Sequence, residues 1–280
     1  MIHHAHIAVV VPAHNEARFI ARVLARMPAF VDSIVVVDDA SSDATATIAA
    51  SWPDPRVRLS RHAVNRGVGA AIATGYRAAR AAGADVIAVM AGDDQMDPAD
   101  LATVVAPVCE GRAHYVKGNR LRHAEARRMP AARRLGSTVL GWATAAAVRV
   151  PALGDSQCGY TAISGHALDA IDLGTMWPGF GYPNDLLGLL RARGFVVAEV
   201  VVRPIYADEI SELSMRHLPI IAWLIARAAW RVRLAPHTRL AVSRTVPAAV
   251  HADDTAPASA RRPRSATTPH TPVTRRSSAA

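Results

Sequence analysis

Val86-Ile87-Ala88-Val89-Met90, running into Ala91-Gly92-Asp93-Asp94-Gln95-Met96-Asp97-Pro98, is the stretch on which the fold turns. Five consecutive apolar residues, preceded by Gly83 and ended by a turn of small and acidic residues, read as a strand buried on both faces. The acidic cluster then falls at the strand's carboxyl end, the edge where open α/β sheets bind ligands. Asp97-Pro98 supplies an N-cap and a first-turn proline for the next helix. Asp93, Asp94 and Gln95 are hard oxygen donors, which Mg²⁺ or Mn²⁺ accepts when phosphate oxygens complete its shell. Standing alone, such a turn is more often a solvated acidic loop with a helix cap, so its meaning depends on its surroundings.

Upstream the same unit recurs. Ile7-Ala8-Val9-Val10-Val11 is a buried strand stopped by Pro12, and Phe19, Ile20, Val23, Leu24 and Met27 follow at helical spacing. The turn between them holds Asn15, a natural helix cap, and Glu16. Ile34-Val35-Val36-Val37-Asp38 repeats the strand, and Asp39 to Asp43 turns into a helix near Ala44, with Ser42 or Asp43 as its cap. Carboxylates that close a buried strand, as Asp38 and Asp39 do, accept hydrogen bonds from a base or ribose. Val57-Arg58-Leu59-Ser60-Arg61 is a more polar strand leading through Asn65-Arg66-Gly67-Val68-Gly69 into a helix from about Ala70 to Ala82. The glycines permit close backbone approach, and Arg66 stands where a phosphate would meet the helix start. Repeated alternation of strand and helix predicts a mainly parallel sheet with helices on both faces. The first turn lacks the glycines of a nicotinamide-dinucleotide fingerprint.

Downstream the pattern loosens. His114-Tyr115-Val116-Lys117 reads as a short strand, and Gly118-Asn119-Arg120 delivers an arginine beyond it. Residues 122–134 form a basic, polar stretch interrupted by Pro130, expected as a loop with room to move over a site. Leu135 to Val148, rich in small residues, predicts a helix packed closely on the sheet. Asp155-Ser156-Gln157-Cys158-Gly159-Tyr160 leads into a strand at Thr161-Ala162-Ile163; Pro183-Asn184-Asp185 opens a helix to about Arg193; Phe195 to Val202 closes the core. On a final helix, Leu218, Ile221, Ile225, Ala228 and Val232 share one face, with Arg216, Trp223, Arg227, Trp230 and Arg231 near the opposite one. A core helix and a helix lying in a membrane headgroup layer both fit that pattern. From Pro236 the chain reads as a disordered basic tail. The expected divisions are therefore residues 1–210, 211–235 and 236–280.

The net charge of +9 does not make the folded part a nucleic-acid binder. From Ala235 onward seven arginines face two aspartates, and the body lacks aromatics interleaved with its arginines. Two cysteines without metal-ligand spacing fit a reduced, cytoplasmic setting. The N-terminal residues have no basic region, and Ile7 to Pro12 is too short for a signal-peptide core. No apolar run approaches the ~18 residues of a membrane span.

Six stretches in order, VVVPAHNEA, VVVDDASSDAT, NRGVGAAIATGY, VMAGDDQMDP, KGNR and DSQCGYTAIS, resemble the inverting family 2 glycosyltransferases of GT-A fold. Within that family the likeness is to the dolichol-phosphate mannosyltransferase-like, polyprenyl-phosphate branch. The resemblance implies a nucleoside-diphosphate sugar held by Pro12, Glu16, Asp38, Asp39, Arg66, Gly69 and Asp93. It implies Mg²⁺ or Mn²⁺ on Asp93 and Gln95, with either Asp94 as a further donor or an ion held more loosely that leans on the diphosphate. Ala91 stands where much of the family carries the first carboxylate of an Asp-x-Asp. Arg120, Arg133 and Ser137 match positions associated with the acceptor's lipid phosphate, the last two spaced to share a helix face. A hydroxyl acceptor would instead need a carboxylate base, for which Asp155 and Asp185 are the candidates. Asp93, Arg120, Asp155 and Asp185 thus make up the expected catalytic set. The implied reaction moves a hexose to polyprenyl phosphate at the inner face of the cell membrane, with peripheral membrane contact. Transfer to a hydroxyl in cell-envelope polysaccharide synthesis, and nucleotide-sugar binding without turnover, are the alternatives.

Overall fold

The computed structural model describes residues 5–205 and 217–235, all within one compact unit of the chain. Seven strands form one sheet: β1 (Ile7–Ala13), β2 (Ser33–Asp38), β3 (Val57–Arg61), β4 (Val86–Val89), β5 (Tyr115–Asn119), β6 (Thr161–Ser164) and β7 (Val197–Val201), in the order β3-β2-β1-β4-β6-β5-β7. β3, β2, β1 and β4 are parallel to one another, and β5 pairs with β7 in parallel. β6 lies antiparallel between β4 and β5. The expected mainly parallel α/β sheet is therefore present, with one reversed strand.

Strand alternation sends residues to two cores. Ala8, Val10, Val35, Val37, Ile87 and Val89 face the layer holding α3 (Val68–Ala81), α6 (Gly165–Asp169) and α7 (Tyr182–Ala192). Ile7, Val9, Val11, Ile34, Val36, Val86 and Ala88 face α1 (Ile20–Ala25), α2 (Thr45–Ala50) and α4 (Leu101–Cys109). Both faces of the central strands are covered, which is why their sequence is continuously apolar. Asp97 caps a 3₁₀ turn at Pro98–Asp100 that runs directly into α4.

α3 lies unusually close to β1, because a Cβ on Gly75 would come 2.2 Å from Val10 Cγ1. Alanine is the better helix former by about 1 kcal/mol, but the overlap with a buried β-branched side chain costs about 1–3 kcal/mol. Gly75→Ala is therefore expected to lower stability, by up to about 2 kcal/mol in denaturant titration. A gain in stability would show that the α3–β1 contact yields easily.

α5 (Ala131–Val148) and α8 (Leu218–Leu234) differ from expectation. α5 starts just after Pro130, so the last four residues of the predicted loop are helical, and Ala124–Arg128 is a 3₁₀ turn. α5 packs on α7 and α8 as an outer layer, rather than directly on the sheet. Its outer face carries Leu135, Val139 and Trp142, which are 67, 53 and 70% exposed. α8 buries Ile221, Leu224, Ala228 and Val232 against its neighbours and leaves Trp230 exposed. Arg216 and the tail lie outside the described residues. No helix among the described residues is long and apolar enough to cross a membrane.

Candidate active site

The reversal of strand order around β1 and β4 creates the switch point at which such sheets open a crevice. The carboxyl ends of β1, β4, β5 and β7 meet the amino end of antiparallel β6 along one edge, and a cleft of about 630 Å³ lies there. Pro12, Glu16, Asp93, Gln95, Arg120, Arg133 and Ser137 all line it. Residues separated by 125 positions in sequence are thus brought to one space because each lies at or follows a strand end, or lies in the first two turns of a helix, at that edge.

The β1–α1 turn is laced to the β2–α2 turn. Asn15, in the left-handed region at φ 59°, donates its backbone N–H to Ser41 Oγ and accepts from Ser42 N with its side chain. Thr45 Oγ1 accepts from Glu16 N at 2.8 Å. Asp43 accepts from Thr45 and from Ala17 N, and these bonds outweigh the opposing effect of burial to hold its carboxyl below the ordinary aspartate value. These bonds hold Glu16 and His14 at the mouth of the cleft.

Asp38 and Asp39 are buried and do not line the cleft. Asp38 pairs with Arg61 at 3.1 Å. Asp39 accepts from Arg66 N at 2.9 Å, Gly67 N at 2.7 Å and the His62 ring at 2.6 Å. The helix start expected to receive a phosphate is therefore closed by this carboxylate, a favourable partner for the positive end of α3. It is also roofed by chain: Ala70 N donates to Pro178 O, and a Cβ on Gly69 would meet Trp177 O at 2.3 Å. Arg66 and Gly69 do not line the cleft.

On the turn after β4, Asp93 accepts the Gln95 backbone N–H at 3.0 Å, which presents both side chains along the cleft. Asp94, expected as a further metal donor, is turned away instead. Its φ of 58° directs it onto α1, where Arg22 lies 2.5 Å and Arg26 3.2 Å from its carboxylate. Two cations at the helix surface are the physical reason, since a buried carboxylate is held where its charge is matched. Among the described residues no three His, Cys, Asp or Glu side chains gather around a point. The donor set of Asp93 and Gln95 suits an Mg²⁺ or Mn²⁺ ion that draws its remaining ligands from phosphate and water, and not a closed structural metal site.

The opposite wall is cationic. Arg133 and Ser137, one turn apart on α5, both face the cleft, and Arg120 joins them from the end of β5. Asp155 is fully buried beneath Arg120 and grips it side-on, with Nε 2.8 Å from one carboxylate oxygen and Nη2 3.1 Å from the other. Burial pushes the Asp155 carboxyl up, but the charge of Arg120, and behind it Lys117, more than reverses this and holds it below the ordinary value. Asp185 is also fully buried, accepting from Trp177 N at 2.8 Å and from Arg231 Nη1 at 2.6 Å, with Arg227 at 3.5 Å. Arg231, expected on the outer face of α8, turns inward because a fully buried carboxylate requires a cation. Neither Asp155 nor Asp185, the expected bases, lines the cleft.

Gln157, Tyr182 and Arg203 complete the walls and were not singled out in the sequence. Arg203 had a readable signal, lying just past a buried strand's carboxyl end, like Arg120. Glu199 had another, as the lone charge within the run Phe195 to Val202.

The architecture is the GT-A-like glycosyltransferase fold, and residues 8–140 match Glycosyl transferase family 2. The chain belongs to that family and is a glycosyltransferase. It is 31% identical over 204 residues to an uncharacterized protein of Methanocaldococcus jannaschii, covering 72% of this chain and 82% of that one. It is 27% identical over 223 residues to the UDP-N-acetylglucosamine–dolichyl-phosphate N-acetylglucosaminyltransferase of Methanococcus voltae, covering 72% and 86%. Among solved structures, glucosyl-3-phosphoglycerate synthase from Mycobacterium tuberculosis, in complex with Mn²⁺, UDP and glucosyl-3-phosphoglycerate, superposes with a TM-score of 0.58 at 21% identity, over 84% of this chain and 82% of that one.

Proposed function

We propose that the chain transfers a hexose, with inversion, from a nucleoside diphosphate to a polyprenyl phosphate at the inner face of the cell membrane. The observation that carries this reading is the make-up of the cleft. Arg120, Arg133 and Ser137 share it with Pro12, Glu16, Asp93 and Gln95, while Asp155 and Asp185 are buried outside it. The family relative named for a dolichyl-phosphate acceptor supports the same acceptor class.

The chemistry suits these residues. A phosphate monoester has a second pKa near ~6, so at neutral pH the acceptor is largely dianionic. One of its oxygens bonds to the anomeric carbon as the bond from that carbon to the diphosphate breaks, and no proton needs to be removed. Arg120 and Arg133 neutralise the incoming phosphate, and Ser137 donates a hydrogen bond to it. Asp93 and Gln95 would hold Mg²⁺ or Mn²⁺, which would supply positive charge to the departing diphosphate. A hydroxyl acceptor would need a base within reach. Glu16 and Asp93, the carboxylates of the cleft, belong instead to the donor half at the β1 and β4 strand ends.

The exposed stripe of Leu135, Val139 and Trp142 starts beside Arg133 and Ser137, and Trp230 is also exposed on α8, which packs against α5. We assign this outer layer to the membrane, with the acceptor phosphate entering the cleft from the lipid. The deciding assay combines purified protein, Mg²⁺ or Mn²⁺, radiolabelled nucleotide sugars and polyprenyl phosphate in detergent. Label in an acid-labile lipid fraction is expected. Donor binding without lipid label, beside a working control enzyme, would favour a hydroxyl acceptor in envelope polysaccharide synthesis or a protein that binds without turnover.

A further inference from the structure

An arginine at a strand end is a long side chain with many rotamers, and neutralising a phosphate at one point requires it to be held. Arg120 is held by a buried lattice of charge that the transfer reaction itself does not use. Asp155 engages the guanidinium through both carboxylate oxygens and also accepts the Arg120 backbone N–H at 3.3 Å. Its own loop is fastened from below. Glu199 Oε1 accepts from Gly154 N at 2.8 Å and Asp155 N at 3.0 Å, and Glu199 Oε2 accepts from Asn119 Nδ2 at 2.6 Å. Asn119 Oδ1 in turn accepts from Leu121 N at 2.9 Å, pinning the chain on the far side of Arg120. Lys117 Nζ donates to Cys158 O at 2.6 Å, tying the other end of the loop to β5.

The placement follows from the sheet. Lys117 and Asn119 are two apart on β5 and point to the same face, and Lys117 is the register partner of Glu199 on β7. Lys117, Asn119, Asp155 and Glu199 are each at most 3% exposed, and their charges with that of Arg120 balance, two against two. The loop also fits tightly: a Cβ on Gly154 would come 2.6 Å from Asn119 Nδ2. The fork uses Nε and Nη2, so the opposite edge of the guanidinium is directed away from Asp155, and Arg120 lines the cleft.

We propose that Asp155 is a positioning residue for Arg120, and that Glu199, Asn119 and Lys117 form the frame that keeps its loop in register with β5. This rests on the reading of Arg120 as a ligand of the acceptor phosphate. Asp155 acts through Arg120 and takes no proton from the acceptor.

The test measures kcat and both Michaelis constants for Asp155→Asn, Arg120→Ala and the double variant, using the full chain and polyprenyl phosphate in detergent. Asp155→Asn is expected to raise the acceptor KM about tenfold with the donor KM within about twofold, the difference of one charge-assisted bond. In the Arg120→Ala background the same change should add little, because the two residues act as one unit. An additive loss, or a fall in kcat at constant acceptor KM, would overturn the proposal and restore Asp155 as an independent catalytic group. A parallel rise in both KM values with a lowered Tm would reduce it to general structural support. If Arg120→Ala leaves the acceptor KM unchanged, the phosphate reading of Arg120 itself falls. If it raises that KM and Asp155→Asn does not, only the positioning role falls. Glu199→Gln, which leaves Asp155 in place, provides the same split if Asp155→Asn does not fold.

Discussion

Asp93→Ala is expected to lower turnover by about a thousandfold or more while leaving the fold intact. The residue sits on a turn beyond the end of β4, outside the apolar strand core, so its removal opens no cavity. Its acidic neighbours on the turn do not substitute for it. Asp94 is committed to Arg22 and Arg26, and Asp97 caps the turn before α4. With alanine already at position 91, Asp93 is the acidic donor this turn presents to the cleft. The measurement is the dependence of initial rate on Mg²⁺ and Mn²⁺, with thermal melting as the fold control. Full activity at matched metal concentration would remove Asp93 from the donor set. Partial recovery at high metal would instead show that the diphosphate and Gln95 retain the ion weakly.

The second large effect concerns α5. Replacing Leu135 and Trp142 together by glutamate is expected to reduce partition onto anionic phospholipid vesicles by about a hundredfold. Each side chain is exposed by more than half, so little folding energy depends on either, whereas burial in the headgroup layer contributes ~1 kcal/mol or more per side chain. The added carboxylates also oppose the attraction of Arg127, Arg128 and Arg134 for the same surface. Co-sedimentation with vesicles containing phosphatidylglycerol gives the result, and detergent-based turnover should be nearly unchanged. Unaltered vesicle binding by the double variant would exclude this face from membrane contact. Failure of the unaltered protein to bind vesicles would exclude the membrane reading as a whole.

Most of the sheet was legible because burial on both faces writes a continuous apolar run, as in Val9-Val10-Val11, Val35-Val36-Val37 and Val86 to Met90. The edge carrying the site followed from the same runs, since strand ends are marked by Pro12, Asp38, Asp93 and Arg120. Strand direction was not legible. Thr161-Ala162-Ile163 looks the same in either sense, and its insertion between β4 and β5 is decided by pairing across long separations. The partners of charges were equally hidden. Nothing local to Asp94 points to Arg22 and Arg26, some seventy positions earlier, and nothing near Asp185 announces Arg231. The small and apolar residues of 135–148 identified a helix but neither its start at Ala131 nor its surroundings. Small residues fit both a helix against a sheet and one, like α5, that meets α7 and α8, with Thr144 bonded to Asn184 and Gly141 close against the Gly154 backbone.

The chain has a single lysine, and the fold conceals it under the Cys158 carbonyl. Acylating reagents therefore meet no accessible ε-amine on the native molecule, and immobilisation or dye coupling through amines is directed to the N-terminus. The same concealment turns Lys117 into an internal clock. Its slow labelling would time the opening of the loop over β5, reporting from inside the cationic wall of the cleft without an added probe.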